Sequence, residues 1–195
     1  MVNIMQQKKM NLRKNKMEKG LSLIEASMVL ALSAIVVSGV MFYYQSASDS
    51  NKTQNTVSQV MSVMSAINGL YVGQASYTGL TDAVLYNSSA VPENYKDKST
   101  QQINNPFGGK LKVAAVNGGY TLTLEKVPKS SCVNIASMNL GTSLQGVGVE
   151  VTANKAPITL RGTPKRGEIY SGTLTPGNAA TLCSDVTNSI TFLMK

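Results

Sequence analysis

The 195-residue sequence is 43% hydrophobic and 14% charged, with 18 Lys+Arg against 10 Asp+Glu, a formal net charge of +8, 2 Cys and no His. That length supports one domain with one modest core. Without histidine there is no Ser-His-Asp or Cys-His nucleophile and no HExxH site, and two cysteines 51 positions apart cannot build a four-ligand zinc site, so no catalytic residue, metal or cofactor is expected.

Charge is concentrated at the start. Residues 1–20 hold Lys8, Lys9, Arg13, Lys14, Lys16 and Lys19 against Glu18, a net +5, which leaves +3 for the remaining 175 residues. The basic isoelectric point therefore comes mainly from this leader and does not point to nucleic acid. The next segment, Leu21 to Tyr44, is 24 residues long and contains one carboxylate, Glu25. As a helix rising about 1.5 Å per residue it covers roughly 36 Å, enough to cross about 30 Å of hydrocarbon, with the preceding lysines holding the N-terminus in the cytoplasm. The bulk of the chain is then expected outside the cytoplasm.

Two processing schemes compete. A secretory signal ends a short apolar region at a small-x-small site, and Ser46-Ala47-Ser48 before Asp49 fits it, which would release a soluble binding domain or adhesin. The length of the run and the acid within it weigh against that scheme. The other rests on the junction Glu18-Lys19-Gly20-Leu21-Ser22-Leu23-Ile24-Glu25, a charged leader ending in Gly before an apolar run with an acid at its fifth position. This junction resembles the prepilin motif of type IV pilins. The 20-residue leader and Leu21 in place of phenylalanine resemble the type IVb branch. The stretch Phe42-Tyr43-Tyr44-Gln45-Ser46-Ala47-Ser48-Asp49-Ser50-Asn51-Lys52, with Asn105-Pro106-Phe107-Gly108-Gly109 and Leu140-Gly141-Thr142, is similar to the bundlin group within it.

The resemblance implies a fold, a fate and a set of partners. The fold is α+β, a long N-terminal helix packed on an antiparallel sheet head with short helices. A prepilin peptidase would cut after Gly20 and methylate the new terminus at Leu21, Glu25 would serve assembly, and the chain would polymerise with other pilin subunits. A cytoplasmic assembly ATPase and an inner-membrane platform would supply the work of extraction, and the finished pilus would meet host or bacterial surfaces. A minor pilin or a pseudopilin of a secretion system satisfies the same motif.

Physics gives Glu25 a reason to seek a partner. A carboxylate within a membrane helix costs on the order of 2.5–3.5 kcal/mol, although Glu25 lies only about 6 Å along the helix from Leu21 and could snorkel to the interface. The amine created at Leu21 of a neighbouring copy is a fitting cation. Ser22/Ala26, Ser27/Ala31 and Ala34/Ser38 place small residues four apart, allowing close helix approach.

Beyond Tyr44, Val57, Val60, Met61, Met64, Ile67 and Tyr71 follow helical spacing, and no proline precedes Pro92, so one helix is expected to about Val72 with Gly69 and Gly73 fraying its end. The expected organisation is 1–20 leader, 21–48 apolar half-helix, 49–73 amphipathic half-helix, 74–110 connecting αβ-loop with at most short helices, and 111–195 head. Lys110 to Val116 and Tyr120 to Val127 form a hairpin around Asn117-Gly118-Gly119. Ser130 to Met138 reads as a short helix with a serine cap, Leu144 to Thr152 as a strand, Thr175-Pro176 as the opening of a second short helix, and Ile190 to Met194 as a last strand.

Cys132 and Cys183 fall in the two short helices of a domain placed in an oxidising compartment, so a disulfide bounding 132–183 is expected, against the competing reading of two separate buried thiols. Type IVb pilins have a comparable C-terminal bridge. Asn51-Lys52-Thr53 and Asn87-Ser88-Ser89 match a glycosylation pattern frequent by chance. Arg161-Gly162-Thr163-Pro164-Lys165-Arg166 is either a solvated loop or a basic contact. Gly108-Gly109 and Gly118-Gly119 lack the Lys-Ser/Thr of a phosphate loop.

Overall fold

The computed structural model describes residues 22–89, 91–151 and 160–195. The chain divides into two compact units, Met1–Tyr43 and Tyr44–Lys195. Helix α1 spans Leu23–Leu70 without interruption. No proline intervenes, and within the first unit the serines stay compatible with helix by turning their hydroxyls onto carbonyls of the preceding turn, Ser33 to Val29 O and Ser38 to Ala34 O, each at 2.7 Å.

In the second unit, α1 presents Thr56, Gln59, Val60, Val63, Met64 and Ile67 to the core. The stripe departs from the expected one: Met61 is exposed, while Thr56, Gln59 and Val63 are buried. Gln59 is drawn in by a backbone acceptor, since its Nε2 donates to Asn104 O at 2.9 Å. The following segment, expected to hold at most short helices, contains α2 (Asp82–Tyr86) and a 3-10 turn at Glu93–Tyr95, but also two short strands, β1 (Lys96–Asp97) and β2 (Gln102–Asn104).

The head is built from β3 (Lys110–Val116), β4 (Gly119–Pro128), α3 (Lys129–Ala136), β5 (Leu144–Val149), β6 (Leu160–Arg161), β7 (Ile169–Ser171), α4 (Pro176–Leu182) and β8 (Thr187–Met194). These strands join β1 and β2 in one sheet of order β1-β2-β3-β4-β8-β5-β7-β6, antiparallel except for the β6–β7 pair. The last strand of the chain thus lies in the middle of the sheet, between β4 and β5. Register aligns Leu111, Leu124, Ile190 and Val149 in one row and Val113, Leu122, Phe192 and Val147 in the next. Alternation sends both rows to the same face, where they form the core with Val60, Val63, Met64 and Ile67 of α1.

Turn chemistry accounts for the hairpin. Gly118 takes a positive φ of 81°, and β3 and β4 close around it with Val116 opposite Gly119. Asn105 organises the β2–β3 connection: its Oδ1 accepts from Phe107 N at 2.9 Å and Gly109 N at 3.2 Å, and its Nδ2 donates to Glu125 O at 2.7 Å. Gly109 is required there, because a Cβ would stand 1.9 Å from Glu125 O.

Helix α4 starts as its sequence indicates, with Thr175 Oγ1 accepting from Asn178 N at 3.3 Å and Pro176 in the first turn. Helix α3 does not have the expected serine cap: Pro128 occupies the N-cap position with no side-chain bond. The serines bind α1 instead, Ser130 Oγ donating to Asp49 Oδ2 at 3.0 Å and the Ser131 and Thr53 hydroxyls meeting at 2.9 Å.

Candidate functional site: an exposed apolar helix and a braced head

From Leu23 to Tyr44 the first half of α1 buries no side chain, and Leu23, Ile24, Leu30 and Phe42 are 70 to 91% exposed. Its most apolar 18-residue window has a mean hydropathy of 2.1. A helix satisfies its own backbone bonds, so such a segment is stable in lipid or among similar helices and poorly matched to water. Ala26, Ala31, Ala34, Ser38 and Gly39 lie along it, as the small-residue spacing requires for close helix approach.

Glu25 lies in the first turn of this helix, and its Oε2 accepts from Ser22 N at 3.0 Å. Ser22 Oγ in turn accepts from Ile24 N at 3.2 Å and Glu25 N at 3.4 Å. This reciprocal arrangement is a capping box, and the Ser-x-x-Glu spacing of Ser22 and Glu25 is its sequence signature. Gly20 and Leu21, the expected cleavage position and mature terminus, lie outside the described residues.

At the other end of the chain Cys132 and Cys183 are bonded, with Cα atoms 6.0 Å apart and both residues fully buried. Cys132 is in α3 as expected, whereas Cys183 is the C-cap of α4 rather than a residue within it. The bridge ties the two short helices together beneath the sheet's central strands.

The basic loop 161–166 is internally compensated. Arg161 and Lys165 lie 3.4 and 3.7 Å from Glu168, and Arg166 pairs with Asp185 and Ser184. That pairing fits a solvated loop better than a cationic docking patch. Among the described residues no three His, Cys, Asp or Glu side chains gather in a metal-binding group. Burial raises the pKa of the Asp82 carboxyl, which accepts from Val113 N at 2.6 Å, and that of the Tyr120 phenol, whose ring meets Tyr77 at a 60° tilt with centroids 4.8 Å apart. Each of these groups serves packing.

Comparison with known proteins places this arrangement. The family model described as Bundlin matches residues 45–191. Two proteins described as the major structural subunit of bundle-forming pilus, from Escherichia coli O111:H- and Escherichia coli O127:H6 (strain E2348/69 / EPEC), are each 54% identical over 186 residues, covering 92% of this chain and 96% of theirs. Among solved structures, a type IV b pilin from Salmonella typhi aligns with a TM-score of 0.53 at 20% identity, covering 70% of this chain and 95% of its own. TcpA, a type IV pilin from Vibrio cholerae El Tor biotype, aligns with a TM-score of 0.50 at 16% identity, covering 74% and 99%. At those identities the two structures speak for the fold. With an exposed apolar half-helix, a sheet head and an identity of 54% across nearly the whole length of its relatives, the chain belongs to the bundlin family of type IV pilins and is a structural subunit rather than an enzyme.

Proposed function

We propose that the chain is the precursor of a major type IVb pilin, whose activity is polymerisation into a surface filament used in adherence, bundling or aggregation. In this reading residues 1–20 are a cytoplasmic leader cut after Gly20 by a prepilin peptidase, which methylates the amine of Leu21. Residues 21–48 hold the precursor in the inner membrane with its head in the periplasm, then become filament core. Residues 49–73 carry the head, 74–110 form the αβ-loop, and 111–195 form the exposed head, braced by Cys132–Cys183. An assembly ATPase and an inner-membrane platform supply the extraction work, because moving an apolar helix from lipid into a bundle of like helices is nearly neutral in transfer terms.

One observation carries this reading: the exposed, mostly apolar stretch Leu23 to Tyr44 contains a single carboxylate, Glu25, close to its N-terminal end. A disposable signal has no use for that charge, whereas a retained helix can pair it with the Leu21 amine of a neighbouring copy. Mass spectrometry of the mature protein is expected to find N-methylated Leu21 as its first residue; a terminus at Asp49 would return the chain to the secreted-domain class. Glu25→Gln is expected to leave a cleaved, membrane-held subunit and to reduce the yield of sheared filaments, and an unchanged yield would remove the pairing role.

A further inference from the structure

The charge of Glu25 explains why it should have a partner, but not how a flexible side chain is held ready for one. The three hydrogen bonds at the head of α1 answer that. Glu25 Oε2 is occupied by Ser22 N, while Ser22 Oγ receives Ile24 N and Glu25 N. We propose that Ser22 is a positioning residue for assembly: the Ser22–Glu25 capping box fixes the carboxylate over the first turn, so that one oxygen closes the helix and the other, Oε1, is presented to the incoming amine of a second copy.

The inference rests on the pilin reading above. It survives maturation chemically, because cleavage between Gly20 and Leu21 leaves the Leu21–Ser22 peptide bond intact, and with it the N–H that Glu25 accepts. It also suits the environment. The first four N–H groups of a helix have no partner within it, and hydrocarbon offers no water to replace one. The box satisfies three of these N–H groups, those of Ser22, Ile24 and Glu25, with two side chains. Ordering the carboxylate before the encounter removes a cost that would otherwise fall on each subunit addition.

The test uses the full-length chain in cells carrying its own assembly machinery, with variants Ser22→Ala, Ser22→Thr and Glu25→Gln. Cleavage is read by mass spectrometry and assembly by sheared filaments per cleaved membrane subunit. Ser22→Ala keeps the charge but loses the cap, and is expected to remain cleaved while assembling about fivefold less, the factor that about 1 kcal/mol of lost capping corresponds to. Ser22→Thr restores the acceptor and is expected to restore assembly. Hydrogen exchange at the Ile24 and Glu25 amides in detergent micelles should accelerate in Ser22→Ala, return in Ser22→Thr and stay slow in Glu25→Gln, which keeps the Ser22 hydroxyl.

Wild-type assembly by Ser22→Ala, or failure of Ser22→Thr to rescue it, would overturn the proposal. Loss of cleavage in Ser22→Ala would overturn it too, by assigning the serine to the peptidase step. Absence of filaments from the wild-type chain would instead sink the pilin reading itself.

Discussion

In the unit that ends at Tyr43, Leu30, Ile35 and Val36 are 64 to 70% exposed, whereas in the unit that begins at Tyr44, Leu124, Ile190 and Val149 are fully buried. The same residue types therefore serve two purposes. In the head, strand pairing places each apolar side chain opposite another of the same chain, and folding itself removes it from water. In the apolar half of α1 the chain supplies the backbone bonds while the large apolar side chains stay exposed, a state that suits lipid or similar helices better than water. In the proposed reading stability and assembly are encoded in separate stretches, so a substitution is expected to damage one and spare the other.

The sharpest way to separate them is to remove the covalent brace. Replacing Cys132 and Cys183 together by Ser frees a 51-residue segment of the unfolded chain, worth about 4 kcal/mol in the loop-entropy model. Thermal or denaturant unfolding of the head, followed in detergent, should shift by that order. Helicity of the apolar half of α1 should persist after the head has unfolded. Simultaneous loss of both signals would show that the two stretches share one stability.

A smaller cut inside the head tests whether its loops are held as firmly as its sheet. Asn105 is 3% exposed and is bonded to two backbone N–H groups of the β2–β3 connection and to Glu125 O of β4. Asn105→Ala leaves buried N–H and C=O groups unpaired and is expected to cost about 2 kcal/mol by chemical denaturation. A cost near zero would mean that the β2–β3 connection is organised by its glycines alone.

The elements that were readable in the sequence are those whose cause is local. Uninterrupted helical spacing announced α1, the Asn117-Gly118 turn announced the β3–β4 hairpin, and Thr175-Pro176 announced α4, because each signal lies within the element it forms. Strands β1, β2, β6 and β7, at two or three residues each, carry no usable period and exist because longer strands offer them an edge. The buried stripe of α1 was shifted for a similar reason: an acceptor on Asn104 draws Gln59 inward, and nothing near Gln59 in sequence tells of it. At the helix start Glu25 is legible as an acid in an apolar run, and Ser22 as the first residue of a Ser-x-x-Glu capping signature.

The smallest effect concerns the surface of the head, where ionisation rather than packing is at stake. Asp97 is held at about 2, first by the Ser99 and Thr100 hydroxyls at 2.6 and 2.7 Å and then by Ser99 N at 2.9 Å. Glu93 is likewise lowered, by its bond to Lys96 at 2.7 Å. Asp82 is shifted the other way, upward, chiefly by burial. A carboxyl lowered by folding contributes stability above its unfolded value and loses it as pH falls through its folded value. Asp97 therefore gives up its contribution between its ordinary value of 3.8 and about 2. Asp82 acts oppositely, since the folded state holds its proton more tightly, and its share of stability rises on acidification. Melting of the head measured from pH 5 down to 2 should accordingly fall in the wild type, fall less steeply in Asp97→Asn, and fall more steeply in Asp82→Asn. Both substitutions lie outside the apolar half of α1, so a change in filament yield at neutral pH from either one would mean that the αβ-loop also takes part in joining subunits.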